Sequence, residues 1–182
     1  MRSGVVADNS GSDGNTREPL GEWLDYSGET TDELIAKAGR YRVDSIVVAF
    51  ETAIDQKSTR EPLSPEGNYV LAVEALEREV NNGGFDQFFV NTPEHAGVIV
   101  EALKAIQCPR TAEITHRAVE ALGIKGPITR AAIEKVIYED NPERGKVLSA
   151  CDGEFYEYPE IISYRLFEWI KLHRDKIVIG NR

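Results

Sequence analysis

Cysteine is scarce in this sequence. Cys108 and Cys151 are the only two in 182 residues. That is too few for a disulfide framework in a chain of this size, so reduced thiols and a cytoplasmic setting are expected. The three histidines, His95, His116 and His173, stand far apart, and neither H-E-x-x-H nor C-x-x-C occurs. A metal centre is therefore not expected, and no cofactor is implied. The nucleophile elbow G-x-S-x-G is missing too. No window approaches a membrane span, and the opening "MRSGVVADNSGSDGNTREP" has no apolar core of signal-peptide length. Cations are in deficit, 21 against 31 acidic residues, for a formal charge of −10. This surplus sets nucleic acid and anionic membrane aside as direct partners, because both would repel the chain. It favours a basic protein surface.

Hydrophobic residues at 41% and charged residues at 29% are enough for one soluble domain with a proper core. Residues 1–19 are rich in Gly, Ser, Asn and Asp and read as a flexible tail; residues 20–182 read as a single helical domain. The segment "GEWLDYSGE" is expected to dock through Trp23, Leu24 and Tyr26.

From Thr30 onward the apolar period is helical. Thr30 and Glu33 have capping-box spacing. Val43, Ile46, Val47, Phe50 and Ile54 form one stripe, and Tyr69, Val73, Leu76 and Val80 the next, with Glu74 and Arg78 spaced as an i,i+4 pair. Further stripes run through Ile99 and Leu103, Ile114 and Ala118, Ile133 and Ile137, and Ile162, Leu166 and Trp169. Ser64-Pro65-Glu66, Thr92-Pro93-Glu94 and Asn141-Pro142-Glu143 each read as a helix start: a polar cap, proline in the first turn, glutamate at the positive dipole end. Period-two alternation is absent except in the terminal "KIVIGN". The fold class is all-α, a compact bundle of roughly seven or eight helices with short Pro/Gly-marked connections.

The densest stretch is "EVNNGGFDQFFVNTPE", Glu79 to Glu94. Asn81 and Asn82 follow the last apolar position of a helix. Gly83 and Gly84 supply backbone freedom, including the positive φ that ends a helix. Phe85, Phe88 and Phe89 then share one face of a short new helix, with Asp86 and Gln87 between them. The pattern is a re-aiming of the chain that drives three rings into the core. It lacks the phosphate-binding glycine spacings and follows a helix rather than a strand. Amides beside aromatics, here Asn82 and Gln87, more often satisfy buried backbone than perform chemistry.

At these residues the chain resembles a known family. "VNNGGFDQFFVN" is similar to the signature of the DMP-type DNA-mimic domain, a bacterial all-α family. "LSACDGEFYEYPE", Leu148 to Glu160, resembles its second element, an acidic turn leading through Phe-Tyr into the final helix. The resemblance covers about Asp44 to Lys171. It implies a helical fold, frequently a homodimer, and an acidic surface that occupies the DNA-binding face of a transcriptional regulator.

Two acidic clusters are the candidate partner-binding residues. One is Glu139, Asp140 and Glu143; the other is Asp152, Glu154, Glu157 and Glu160, interleaved with Phe155, Tyr156 and Tyr158. Carboxylates among aromatics suit a protein-contact surface, with rings as anchors and charges steering the encounter. A solvated face over core rings is the other reading, and composition leaves both open. The leading expectation is a non-enzymatic protein whose acidic face binds a basic protein surface, a DNA-binding regulator among the candidates. An immunity-type protein neutralising a cationic toxin would need the same composition. A small hydrolase or transferase would use Cys151 or a carboxylate pair in a pocket between helices.

Overall fold

The computed structural model of the protein describes residues 21–180, so the tail expected over residues 1–19 lies outside the described residues. Among the described residues there are eight α-helices and one 3₁₀ turn, joined by short connections into a compact all-α fold. They are α1 (Thr31–Ile35), α2 (Val43–Ser58), α3 (Pro65–Asn91), α4 (Ile99–Ala105), α5 (Pro109–Glu120), α6 (Arg130–Val136), α7 (Pro142–Phe155) and α8 (Ile162–Leu172), with the 3₁₀ turn Pro93–His95 between α3 and α4.

The caps form where the sequence places them. Thr30 and Glu33 close a reciprocal capping box at the start of α1. Ser64 accepts the Gly67 N–H, and Asn141 accepts the Arg144 N–H, each with proline in the first turn that follows. Thr92 differs. Its hydroxyl donates to the Phe88 carbonyl at 3.0 Å, so it closes α3 instead of opening a helix, and only the 3₁₀ turn follows.

The α3 helix is the spine of the fold. It packs against α2 on one side and against α4 and α7 on another, while α8 lies on α2 and α5 on α7. Ile46, Val47, Phe50 and Ile54 of α2 and Val73, Leu76 and Val80 of α3 are buried, as their stripes require. The same core takes in Leu166, Trp169 and Ile170 of α8. The i,i+4 pair expected between Glu74 and Arg78 does not form. Glu74 turns inward and is buried, while Arg78 reaches across to Glu51 of α2 and back to Glu79.

The two ends of the domain are tied together. Residues 176–180 of "KIVIGN" make no strand; they form a strap whose Ile177 and Ile179 are buried. The Thr31 hydroxyl donates to Ile177 O and accepts the Ile179 N–H, and Lys57 donates to Val178 O. In the first segment Leu24 is buried and Tyr26 half-buried, as expected for docking. Trp23 is exposed, with the Arg42 guanidinium 5.5 Å from its ring.

Candidate functional site

The glycine pair splits α3. Backbone φ/ψ leaves the helical region at Gly83 and Gly84 and resumes at Phe85. Gly84 has φ +77 and ψ −176, a conformation essentially restricted to glycine. The freed N–H of Phe85 is taken by Asp152 Oδ1, 2.8 Å away on α7. A carboxylate 67 residues downstream thus caps the new helix turn. Burial pushes the Asp152 carboxyl up from its ordinary pKa, and the Phe85 N–H works the other way.

Phe85, Phe88 and Phe89 are buried in the core, as the sequence predicts. Phe85 lies 5.9 Å from Phe155 in an edge-on arrangement and 6.3 Å from Phe89. Across the kink a polar network locks the bend. Glu79 Oε2 accepts from Gln87 Nε2 at 2.9 Å and from Asn91 Nδ2 at 2.8 Å, and Oε1 accepts from Arg78 Nε at 3.2 Å. Burial works to raise the Glu79 pKa, but hydrogen bonds from Asn91, Gln87 and Arg78 outweigh it and hold the carboxyl below its ordinary value. Asn81 bonds the Glu77 carbonyl, and Asn82 is exposed.

The acidic-aromatic segment begins inside a helix. Asp152 and Glu154 belong to the last turn of α7, because Gly153 does not break the helix; the expected acidic turn starts only at Tyr156. Phe155 points inward and is buried. Tyr156 and Tyr158 are exposed, but their hydroxyls donate to Val80 O at 2.8 Å and Asn81 Oδ1 at 2.7 Å, which pins this turn to the end of the first half of α3. Beyond it, Tyr158, Ile161 and Tyr164 are 54%, 65% and 57% exposed and line a groove of about 450 Å³ with Glu160, Arg165 and Glu168. Three large apolar side chains in one groove form a patch rather than a scatter.

The predicted carboxylates have distinct surroundings. Glu139 and Asp140 are exposed between α6 and α7, and Glu143 pairs with Lys146 at 2.7 Å. Glu154 pairs with Arg117 at 2.6 Å. Glu160 is half-buried and caps α5, accepting the N–H of Arg110 and of Thr111 at 3.0 Å each and the Thr111 hydroxyl at 2.6 Å. Glu157 is exposed and makes no ion pair among the described residues. The two clusters occupy opposite ends of α7, which are about 20 Å apart by helix rise. Asp152, Glu154, Glu157 and Glu160 follow one another along the last turn of α7 and the turn after it, three of them engaged by separate partners, while Glu139, Asp140 and Glu143 lie at the start of α7.

Sequence reasoning missed Glu79 as the acceptor that Gln87 and Asn91 share, and Ile161 and Tyr164 as exposed apolar residues. The buried Glu74 was missed too, although a lone carboxylate inside "LAVEAL" is a usable signal. Arg144 is another omission. It is buried and donates to Val136 O, Ile137 O and Glu139 O, which closes the end of α6.

The thiols are poorly placed for nucleophilic work. Cys151 is buried, and burial raises its pKa; burial pushes the Cys108 thiol up to about 12, with Glu160 adding to the effect. Both should react with a disulfide reagent at least ~100-fold more slowly in the native protein than in denaturant, the thiolate being what reacts. Counting released chromophore over time checks this; fast labelling of Cys151 in the native state would refute it. His173 stacks on Trp169 at 4.3 Å, and His95 sits in the 3₁₀ turn. Among the described residues no three side chains of metal-ligating type converge, and no helix is long and apolar enough to cross a membrane.

A family model described as DMP19-like protein matches residues 61–173, from the turn before α3 to the end of α8. The chain matches no curated protein and no solved structure. More than half of its length lies inside the family match, kink and tyrosine turn included, and the chain therefore belongs to the DMP19-like protein family.

Proposed function

We propose that this protein is a non-enzymatic interaction protein whose acidic-aromatic face binds a basic protein surface, the DNA-binding face of a transcriptional regulator. The groove lined by Tyr158, Ile161 and Tyr164, with Glu160 and Glu168 in the same lining, is the observation that carries the reading. Exposed rings can be buried in a partner at low entropic cost, and they supply most of the energy in such contacts. Carboxylates around them attract a cationic surface and repel DNA itself. The resemblance of the kink motif to the DNA-mimic family, together with the −10 charge, supports this choice of partner.

The test is retention on the immobilised protein from native lysate, at low and at high salt, with duplex DNA as competitor. A DNA-binding regulator should be held at low salt, released at high salt and displaced by duplex. Replacing Ile161 and Tyr164 together with alanine should weaken the purified pair at least ~10-fold, as expected when an interface loses its anchors. Both side chains are exposed, so the variant should keep wild-type stability. Retention of no DNA-binding protein at low salt would refute the proposal, and so would binding that ignores the double substitution.

A further inference from the structure

The seam between α2 and α3 holds a carboxyl group that the proposed function does not use. Glu74 is 7% exposed, and its Oε1 has no hydrogen-bond partner among the described residues. The charges facing it from α2 are Asp44 and Glu51; those on α3 itself are Glu77 and Arg78. Every cation at the seam is already engaged. Arg42 donates to Asp44 at 3.0 Å, and Arg78 is bound to Glu51 and Glu79. Glu74 thus has three carboxylate neighbours and no counter-ion of its own.

An ionised carboxylate left unpaired in a packed interior is strongly disfavoured, and like charges nearby add to the cost. Holding the proton is the way out. Burial, then Glu77 and Glu51, push Glu74 well above the ordinary carboxyl range. Glu77 is half-buried on the same helix, and its charge also reaches the Cys108 thiol at the start of α5. Burial and Asp44 raise Glu77 to about 7.

We propose that the α2–α3 seam is a proton-operated latch, closed while Glu74 packs between Asp44, Glu51 and Glu77 as a neutral carboxylic acid, and loosened when Glu74 and Glu77 give up their protons. The inference does not depend on the docking face, which lies beyond the kink. Of the two carboxyls Glu77 is the more accessible, and it exchanges its proton with water first. Deprotonation puts a second charge against α2, and the seam relieves it by admitting water.

The folded protein holds these protons more tightly than the unfolded chain does. Stability is therefore fully present below the ordinary carboxyl value of 4.5 and is lost as pH rises, through about 7 for Glu77. In the full chain, the unfolding equilibrium constant should rise across roughly pH 5 to 8, by up to ~10-fold per pH unit for each proton retained. Glu74→Gln replaces the neutral acid with a neutral isostere, and the difference between its curve and that of wild type isolates Glu74. The expected result is a variant that gains on wild type as pH rises, by ~10-fold or more over the range. A second readout needs no folded variant: the infrared carbonyl band of a neutral carboxylic acid should persist in wild type at about pH 7. Parallel curves for wild type and Glu74→Gln would overturn the proposal, as would a wild-type spectrum with no neutral-acid band at that pH.

Discussion

Gly84→Ala should destabilise the fold by about 3–4 kcal/mol. Two costs combine. At φ +77 and ψ −176 a side chain forces strained backbone, worth roughly 1–3 kcal/mol. A Cβ on Gly84 would also stand 2.5 Å from Asp152 Oδ2 and 2.8 Å from its Cγ. The carboxylate cannot simply swing aside, because its other oxygen takes the Phe85 N–H. Displacing it leaves that donor unpaired in a half-buried place, which costs ~1 kcal/mol or more. The sum is a large fraction of the ~5–15 kcal/mol that a domain commands. Urea denaturation gives the total, and a second background separates the parts. In Asp152→Ala the contact is gone, so Gly84→Ala should cost about 1 kcal/mol less there while the backbone part remains. A cost below ~1 kcal/mol in the wild-type background would mean that the kink does not depend on Gly84. Gly83 is a milder case: its φ of −164 is ordinary extended backbone, and an added Cβ would meet only the Gln87 side chain.

What the sequence shows well is whatever is decided within one or two helical turns. The capping box at Thr30, the proline starts at Pro65 and Pro142, and the apolar stripes of α2, α3 and α8 all depend on spacings of three and four. The Gly83-Gly84 break is legible for the same reason, since no long-range contact is needed to see that two glycines end a helix. Local logic fails where a distant residue takes a role that a near one was assigned. Arg78 sits four residues from Glu74, yet Glu51 on the neighbouring helix is the partner it reaches. Thr92 precedes a proline and looks like a start, but the Phe88 carbonyl claims its hydroxyl. The acidic segment shows the limit most clearly. Seven glutamates and aspartates carry the same formal charge in the sequence; in the fold Asp152 and Glu160 cap other helices, and Glu154 and Glu143 are paired. Charge is readable from composition, but its engagement depends on tertiary neighbours. The exposed partners of that segment, Ile161 and Tyr164, were invisible because both lie within an apolar stretch that otherwise reads as core.

Phe85→Ala should be at least as damaging, with a loss of about 3–5 kcal/mol. The ring is wholly buried at the point where the redirected half of α3 meets α7, and it stands against both Phe89 and Phe155. Removing it leaves a cavity that the surroundings cannot close. One side is fixed by the bend that Gly84 imposes and the other by Asp152 holding the Phe85 N–H. The edge-on contact with Phe155 is worth a further ~0.5–1.5 kcal/mol beyond area alone, so Phe85→Ala and Phe155→Ala should be non-additive. The double variant is expected to lose less than the two singles summed, by about that coupling. Phe155 also touches the rings of Tyr156 and Tyr158, at 6.4 and 6.5 Å. Its removal should therefore weaken the aromatic signal in near-ultraviolet circular dichroism, in addition to lowering the denaturation midpoint. Phe85→Leu should recover roughly half of the loss or more, because it keeps most of the volume without the ring geometry. A loss under ~1 kcal/mol for Phe85→Ala, or strict additivity with Phe155→Ala, would show that the kink is held by its polar network alone. In that case the Glu79 carboxylate, shared among Arg78, Gln87 and Asn91, would be the next residue to replace.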